Sequence, residues 1–234
     1  MKELDGKILV ELQESMGSDA SIANSAWTST YDKDKREDKY DDKEKVEKLV
    51  RMLARSGHST PFESVVFRFW IRMPIFTDRQ HMTHRLQSSS GLSGRYRTLP
   101  SDFYELPDDV KGILEKTDNN SWIQYAYHNA LQKSWDHYES SLDILKKACD
   151  DNNISNPEYK RCREVLRGVL GTSFMVERVS IFNLRSFANY MKLRKSEHAQ
   201  AEIRCVAEQM YQCVKKAEVC PVALEELENK GWTV

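Results

Sequence analysis

The sequence has no CxxC pair, no long apolar run, no net charge of consequence and no Pro/Gly/Ser-rich linker, and each absence removes a class of protein. Its five cysteines (Cys149, Cys162, Cys205, Cys213, Cys220) are odd in number and scattered, which argues against a disulfide framework and a zinc knuckle. Its longest apolar stretch, residues 65–76, is interrupted by Arg68, Arg72 and Pro74, well short of the ~20 residues that span a bilayer. No membrane partner is expected. Residues 1–6 lead into a short alternating segment and not into a secretory apolar run, so the expected location is cytoplasmic. With 35 Lys+Arg against 36 Asp+Glu the formal charge is −1, which offers no global field to recruit a nucleic-acid polymer.

What is present suits a globular protein. The 234 residues are 40% hydrophobic and 30% charged, with mean hydropathy −0.66, enough to build a core and too polar for a membrane. One domain over residues 1–234 is expected, without internal repeats or low-complexity tracts. Over Lys7–Gln13, Ile8, Val10 and Leu12 alternate with Leu9, Glu11 and Gln13, the period of a half-buried strand, which Met16-Gly17-Ser18-Asp19 then breaks. Residues 31–48 carry charges of both signs and read as a solvated loop entering a helix. Val46, Leu49, Val50, Leu53 and Ala54 form a helical stripe that Gly57 would stop. Val65, Phe67, Phe69, Ile71 and Met73 occupy alternate positions of a strand closed by Pro74. A long helix beginning near Ser121 carries Leu131, Trp135, Tyr138, Leu142 and Leu145. Asn156 is expected to cap the next helix ahead of Pro157, with Val165, Leu166, Val169 and Leu170 on its apolar face. Residues 174–182 read as a strand, followed by helical spacing through Leu184, Phe187 and Met191 and again through Ile203, Val206, Ala207 and Met210.

Two polar clusters stand out. Residues 79–97 hold Arg79, Arg85, Arg95 and Arg97, His81 and His84, five hydroxyl residues before Arg95, two glycines and no acid. Guanidinium forks, hydroxyls and backbone N–H groups freed by glycine suit a phosphate monoester. The alternative is an exposed basic loop whose arginines pair with the acids of residues 32–47. No metal is expected, since His81 and His84 lack nearby acidic or thiol ligands. In the second cluster Asn183 and Asn189 are expected near one helical face, and Arg194 and His198 as i,i+4 neighbours, so that amides, a guanidinium and an imidazole converge on a planar heterocycle. Phosphate plus ring describes a nucleotide.

These residues, in this order, resemble the flavin-dependent thymidylate synthases: His58-Ser-Thr60-Pro-Phe-Glu63, Pro74-Ile-Phe, Arg79-Gln80, His84-Arg85, Ser93-Gly94-Arg95-Tyr96, Asn183-x-Arg185-Ser, Asn189, Leu193-Arg194, His198-Ala-Gln200 and Glu202-Ile203, with Met16-Gly-x-Asp19-x-Ser21 near the start. The resemblance implies an α+β fold with a sheet flanked by long helices, and a homotetramer whose sites are shared between subunits. It implies methylation of the pyrimidine deoxynucleotide dUMP to dTMP, with methylenetetrahydrofolate as carbon source, NADPH as reductant and FAD passing the hydride. Carried over, Gln80, Ser93, Gly94, Arg95 and Arg167 would hold dUMP. Arg194, with Ser93, would be catalytic, its guanidinium stabilising negative charge that develops on the uracil. Thr60, Glu63, His84, Arg85, Asn183, Arg185, Asn189 and Leu193 would surround FAD, His198 would join the cofactor-binding set, and His58 would lie near the folate and nicotinamide approach.

Three positions depart from the family pattern. Thr83 stands where the signature has arginine, Ser90-Gly91 where it has Asn-Glu, and Trp27 where an arginine follows alanine. Loss of a charge-assisted contact worth roughly 1.5–3 kcal/mol would weaken FAD binding about ten-fold or more unless His81 or another group substitutes. Loss of the carboxylate at Gly91 would open space beside the nucleotide. These departures keep open a hydroxymethylated product from dUMP or dCMP, and a catalytically idle nucleotide-binding homologue.

Overall fold

The computed structural model describes residues 7–94 and 98–233. In chain order its elements are β1 (Leu9–Met16), α1 (Asp19–Trp27), α2 (Lys33–Tyr40), α3 (Lys43–Ser56), a 3-10 turn (Thr60–Ser64), β2 (Val66–Pro74), α4 (Ile75–His81) and β3 (Ser88–Gly91). There follow α5 (Asp108–Leu114), α6 (Asn120–Asp150), α7 (Asn156–Leu166), a second 3-10 turn (Arg167–Val169), β4 (Met175–Asn183), α8 (Leu184–Arg194), α9 (Ala201–Ala217) and α10 (Pro221–Asn229). The four strands form one antiparallel sheet in the order β1-β2-β4-β3, and the expected α+β class holds.

Strand alternation sets the core. Phe67, Phe69, Ile71 and Met73 of β2 are fully buried, as is Ser180 opposite Phe69 on β4, while Arg68, Trp70 and Arg72 point to the other face. Ile22, Val50, Phe187, Ile203, Val206 and Met210 from α1, α3, α8 and α9 complete this core. A second cluster joins Trp135, Tyr138 and Leu142 of α6 to Leu170 and Phe174.

The β2–β4 register decides where the functional residues meet. Pro74 pairs with Met175 and Val66 with Asn183, so α4 leaves one end of this strand pair and α8 leaves the other. Helices that start at opposite ends and run back over one face bring their C-termini together. The two chain ends that carry His81 and Arg194 are therefore neighbours.

Several expectations need correction. Residues 33–40 form α2 and not a loop; with no apolar stripe to reveal it, the helix is held through Lys39, whose ammonium lies 3.5 Å from the centre of the Tyr31 ring. The cap of α7 is Ser155, one residue before Asn156, in a capping box with Glu158. Val165 and Val169 are exposed, at 59% and 42%, because α7 ends at Leu166 and the tighter 3-10 turn shifts the stripe toward Leu170. β1 continues through Met16, and α8 and α9 are separate helices.

The turn after β1 depends on glycine. Gly17 has φ +90°, and a Cβ there would lie 2.6 Å from the Ser64 carbonyl oxygen, a backbone atom. Gly57, which closes α3 at φ +74°, has nothing within 4 Å of the corresponding position. Gly57→Ala is thus expected to cost about 1 kcal/mol from the left-handed backbone alone. Gly17→Ala should cost clearly more, and at about 2–4 °C per kcal/mol thermal melts will separate the two; equal melting temperatures would contradict the clash.

Candidate active site

Arg194, the last residue of α8, is half-buried and held at three points. Its Nε donates to His84 Nε2 at 2.8 Å, and its Nη2 donates to the Gln80 carbonyl at 3.2 Å and to Thr83 Oγ1 at 3.0 Å. Gln80 lies in the last turn of α4, where the helix-terminal carbonyls carry partial negative charge; its own carbonyl also accepts from Thr83 N at 3.3 Å. The guanidinium therefore caps α4. All three acceptors are neutral, so the positive charge is oriented without being cancelled.

His84 must accept at Nε2, which places its proton on Nδ1. Partial burial and the charge of Arg194 hold its pKa down at about 4, consistent with that neutral form. Beside it a cavity of about 270 Å³ is lined by Thr83, His84, Arg85, Leu86, Phe182, Ser186, Asn189, Leu193 and Arg194. One wall is apolar, from Phe182, Leu86 and Leu193; the rim offers the Arg85 guanidinium and the Asn189 amide. Asn189 and Leu193 come one turn apart on α8, so a single helix supplies both.

The other expected residues fall into neighbouring groups. Glu63 and Arg185 form an exposed ion pair at 2.6 Å that ties the 60–64 turn to the start of α8. Thr60 and His58 line a different cavity, about 460 Å³, together with Trp27, Leu49, Met52 and Pro61. Gly94 is buried against Arg167: a Cβ at Gly94 would lie 3.2 Å from Arg167 Cδ, and Arg167 Nε donates to the Glu164 carbonyl at 3.1 Å. Ser93 precedes Gly94 in this segment, and Arg95 lies outside the described residues. The Gln80 side-chain amide donates to Gln200.

Two placements differ from expectation. Asn183 is the N-cap of α8, its Oδ1 accepting from Ser186 N at 2.8 Å, and does not share a helical face with Asn189. His198 is not an i,i+4 partner of Arg194, because α8 ends at Arg194; its side chain is 89% exposed in the turn before α9.

The family departures also acquire partners. Thr83 accepts from Arg194 and donates to the Gln80 carbonyl at 2.7 Å, so the hydroxyl does work that an arginine there could not. No space opens beside Gly91: it pairs with Arg178 across β3 and β4, and a Cβ would meet that guanidinium at 3.3 Å. Arg178 is itself held by Asp78 through contacts of 2.5 and 2.7 Å. Of the acids of residues 32–47, Asp42 pairs with Lys45 and Glu47 with Arg51, both around α3. Sequence inspection misses Arg178, Asp78 and Tyr190 in this neighbourhood, since only the β3–β4 register and the helix crossing bring them near.

Among the described residues no group of three or more His, Cys, Asp or Glu is placed to hold a metal, and no helix is long and apolar enough to cross a membrane. None of the five cysteines is in a disulfide; they lie on α6, α7 and α9 or at the start of α10.

The α+β sheet thus carries, side by side, a guanidinium held by three neutral acceptors, a segment rich in basic residues and a half-apolar cavity. The family model for the thymidylate synthase complementing protein matches residues 11–222. The flavin-dependent thymidylate synthase of Pseudothermotoga lettingae is 34% identical over 219 residues, 92% of this chain and 88% of that one. The enzyme of the same name from Thermosipho africanus is 36% identical over 183 residues, 78% and 76% of the two chains. A crystal structure of the UMP/dUMP methylase PolB from Streptomyces cacaoi, bound with 5-Br dUMP, superposes with a TM-score of 0.77 at 29% identity over 97% of each chain. The chain belongs to the flavin-dependent thymidylate synthase family.

The two histidines make stability depend on pH. Unfolded, each binds a proton near pH 6.5; folded, His84 does so only at about 4 and the buried His81 at about 3, where burial is the main cause. Between those values the unfolded chain holds more protons, so stability falls as pH drops below about 6.5, by about 1.4 kcal/mol per unit for His81 and less for the partly solvated His84. Urea midpoints should be lower at pH 5 than at pH 7, and the difference should shrink in His81→Phe; an undiminished difference would count against neutral burial.

Proposed function

We propose that the chain transfers a one-carbon unit from methylenetetrahydrofolate to C5 of dUMP, with FAD-mediated reduction by NADPH, to give dTMP. The observation that carries this reading is Arg194, a guanidinium aimed by three neutral acceptors at the rim of a half-apolar cavity. Its Nη1 makes no hydrogen bond to a described residue and would face the uracil carbonyl and N3. There it would stabilise the negative charge that grows as C5 is prepared for attack. A fixed donor needs no rearrangement as that charge develops.

Gln80, Ser93, Gly94, Arg95 and Arg167 would hold dUMP; the Arg167 stem lies where a side chain at position 94 would crowd it, at 3.2 Å from a Cβ there, which supports the two acting together on a phosphate. For FAD the donor set fits: an apolar wall for a planar ring, with Asn189, Arg85 and His84 for its polar edge and phosphates. Thr60, Glu63, Arg185 and Asn183, whose Oδ1 is occupied as a cap, would extend that site. Bound FAD would supply hydride transfer from NADPH to the methylene carbon. The family resemblance suggests a homotetramer in which a second copy completes each site, and a cavity of about 270 Å³, at the lower edge of the roughly 300–1,000 Å³ usual for such ligands, leaves room for that reading. His58, in the Trp27 cavity, would border the folate and nicotinamide approach, and exposed His198 would reach the cofactor only in such an assembly.

Incubation with dUMP, methylenetetrahydrofolate, FAD and NADPH, read by product mass, tests this. A gain of one methyl group is expected; a hydroxymethyl product would replace the reductive step, and UMP and dCMP serve as parallel substrates. No product from any of the three overturns the reading. Arg194→Ala should lower turnover about 10²-fold or more, and Arg194→Lys should recover little, because an ammonium cannot reproduce the three-point fork.

A further inference from the structure

His81 is fully buried and has no part in the chemistry just described, yet both its ring nitrogens are bonded. Nδ1 meets the Tyr190 hydroxyl at 2.9 Å and Nε2 meets the Ser180 hydroxyl at 2.9 Å. A residue that only filled space at the end of α4 would be better apolar, since burying an imidazole and two hydroxyls is unfavourable unless each is matched. Here each is matched, and the chain of contacts continues. Tyr190 carries the His84 ring at a centroid distance of 4.6 Å, tilted by 56°, and Phe182 meets its edge at 5.3 Å. His84 then presents Nε2 to Arg194. Ser180 on β4, His81 on α4, Tyr190 on α8 and His84 in the following turn are thus one connected unit ending at the guanidinium.

We propose that His81 is a positioning residue for Arg194: the Ser180–His81–Tyr190 chain fixes the Tyr190 ring, which seats His84 with Nε2 toward Arg194 and so aims the guanidinium. The consequence for turnover rests on the proposed role of Arg194; the seating does not. Residues that act as one unit should show losses that fail to add.

The test uses the full chain labelled with ¹⁵N-histidine, together with steady-state kinetics. In the wild type the His84 signal should report the Nδ1–H tautomer near neutral pH. In His81→Phe and Tyr190→Phe that preference should weaken, and kcat should fall about ten-fold or more while KM for dUMP changes less than about three-fold. The double variant should be no worse than the poorer single one. Ser180→Ala, which leaves the three rings in place, should move the His84 signal in the same direction with a smaller loss of kcat. An unchanged His84 signal in folded His81→Phe overturns the proposal, and so do losses that multiply in the double variant. Should His81→Phe not fold, an unchanged His84 signal in Ser180→Ala overturns it equally. Absence of product from the wild type would overturn the proposed function and leave the seating to be decided by the His84 signal alone.

Discussion

The site depends on a guanidinium that is fixed without being neutralised. Arg194 could be oriented more strongly by a carboxylate, since charge-assisted pairs are the stronger hydrogen bonds. Such a partner would also cancel the field it is placed to project. An imidazole nitrogen, a helix-terminal carbonyl and a hydroxyl give direction and leave the charge intact. Each requires something of its surroundings: His84 must stay neutral, α4 must end at that point, and Thr83 must turn its hydroxyl inward.

One carboxylate in this neighbourhood is Asp78, on the same short helix as Gln80. It is engaged by Arg178 in a two-point contact, both side chains being only 14% exposed. Arg178 in turn occupies the room beside Gly91, where a side chain would press on it. The absent side chain at position 91 thus leaves room for the Arg178–Asp78 pair, which ties β4 to α4 beside β3.

Periodicity made much of the fold legible in the sequence. β2, α3 and α8 bury most of the residues their alternation or stripe selects, and Gly57 ends α3 in the left-handed conformation; in β4 the strand is where its composition places it, but Ser180 is buried while Ile181 is exposed. α2 stayed hidden because its sequence, KDKREDKY, has no apolar face to reveal a period. At the site, composition marked residues 79–97 and the motif order marked Arg194 and His84. The partners were not legible. Thr83 and Arg194 are 111 residues apart, His81 and Tyr190 are 109, and Asp78 and Arg178 are 100. Their meeting follows from which end of an antiparallel pair each helix leaves, a tertiary fact that local patterns do not encode.

That geometry also explains how an almost uncharged chain can hold an anion. The formal charge of −1 reflects acids and bases in near balance, but the balance is made locally elsewhere: Asp42 with Lys45, Glu47 and Glu226 with Arg51, Asp102 with Arg72. The segment from Arg79 to Gly94 contains no acid, and the one carboxylate at its edge, Asp78, is held by Arg178. Screening by dissolved salt limits the reach of any surface field to about 10 Å at ordinary ionic strength. A ligand of nucleotide size pressed into the cavity would meet the field of Arg85 and Arg194 before that of the distant acids. Local imbalance inside global balance suits a small anion met at short range.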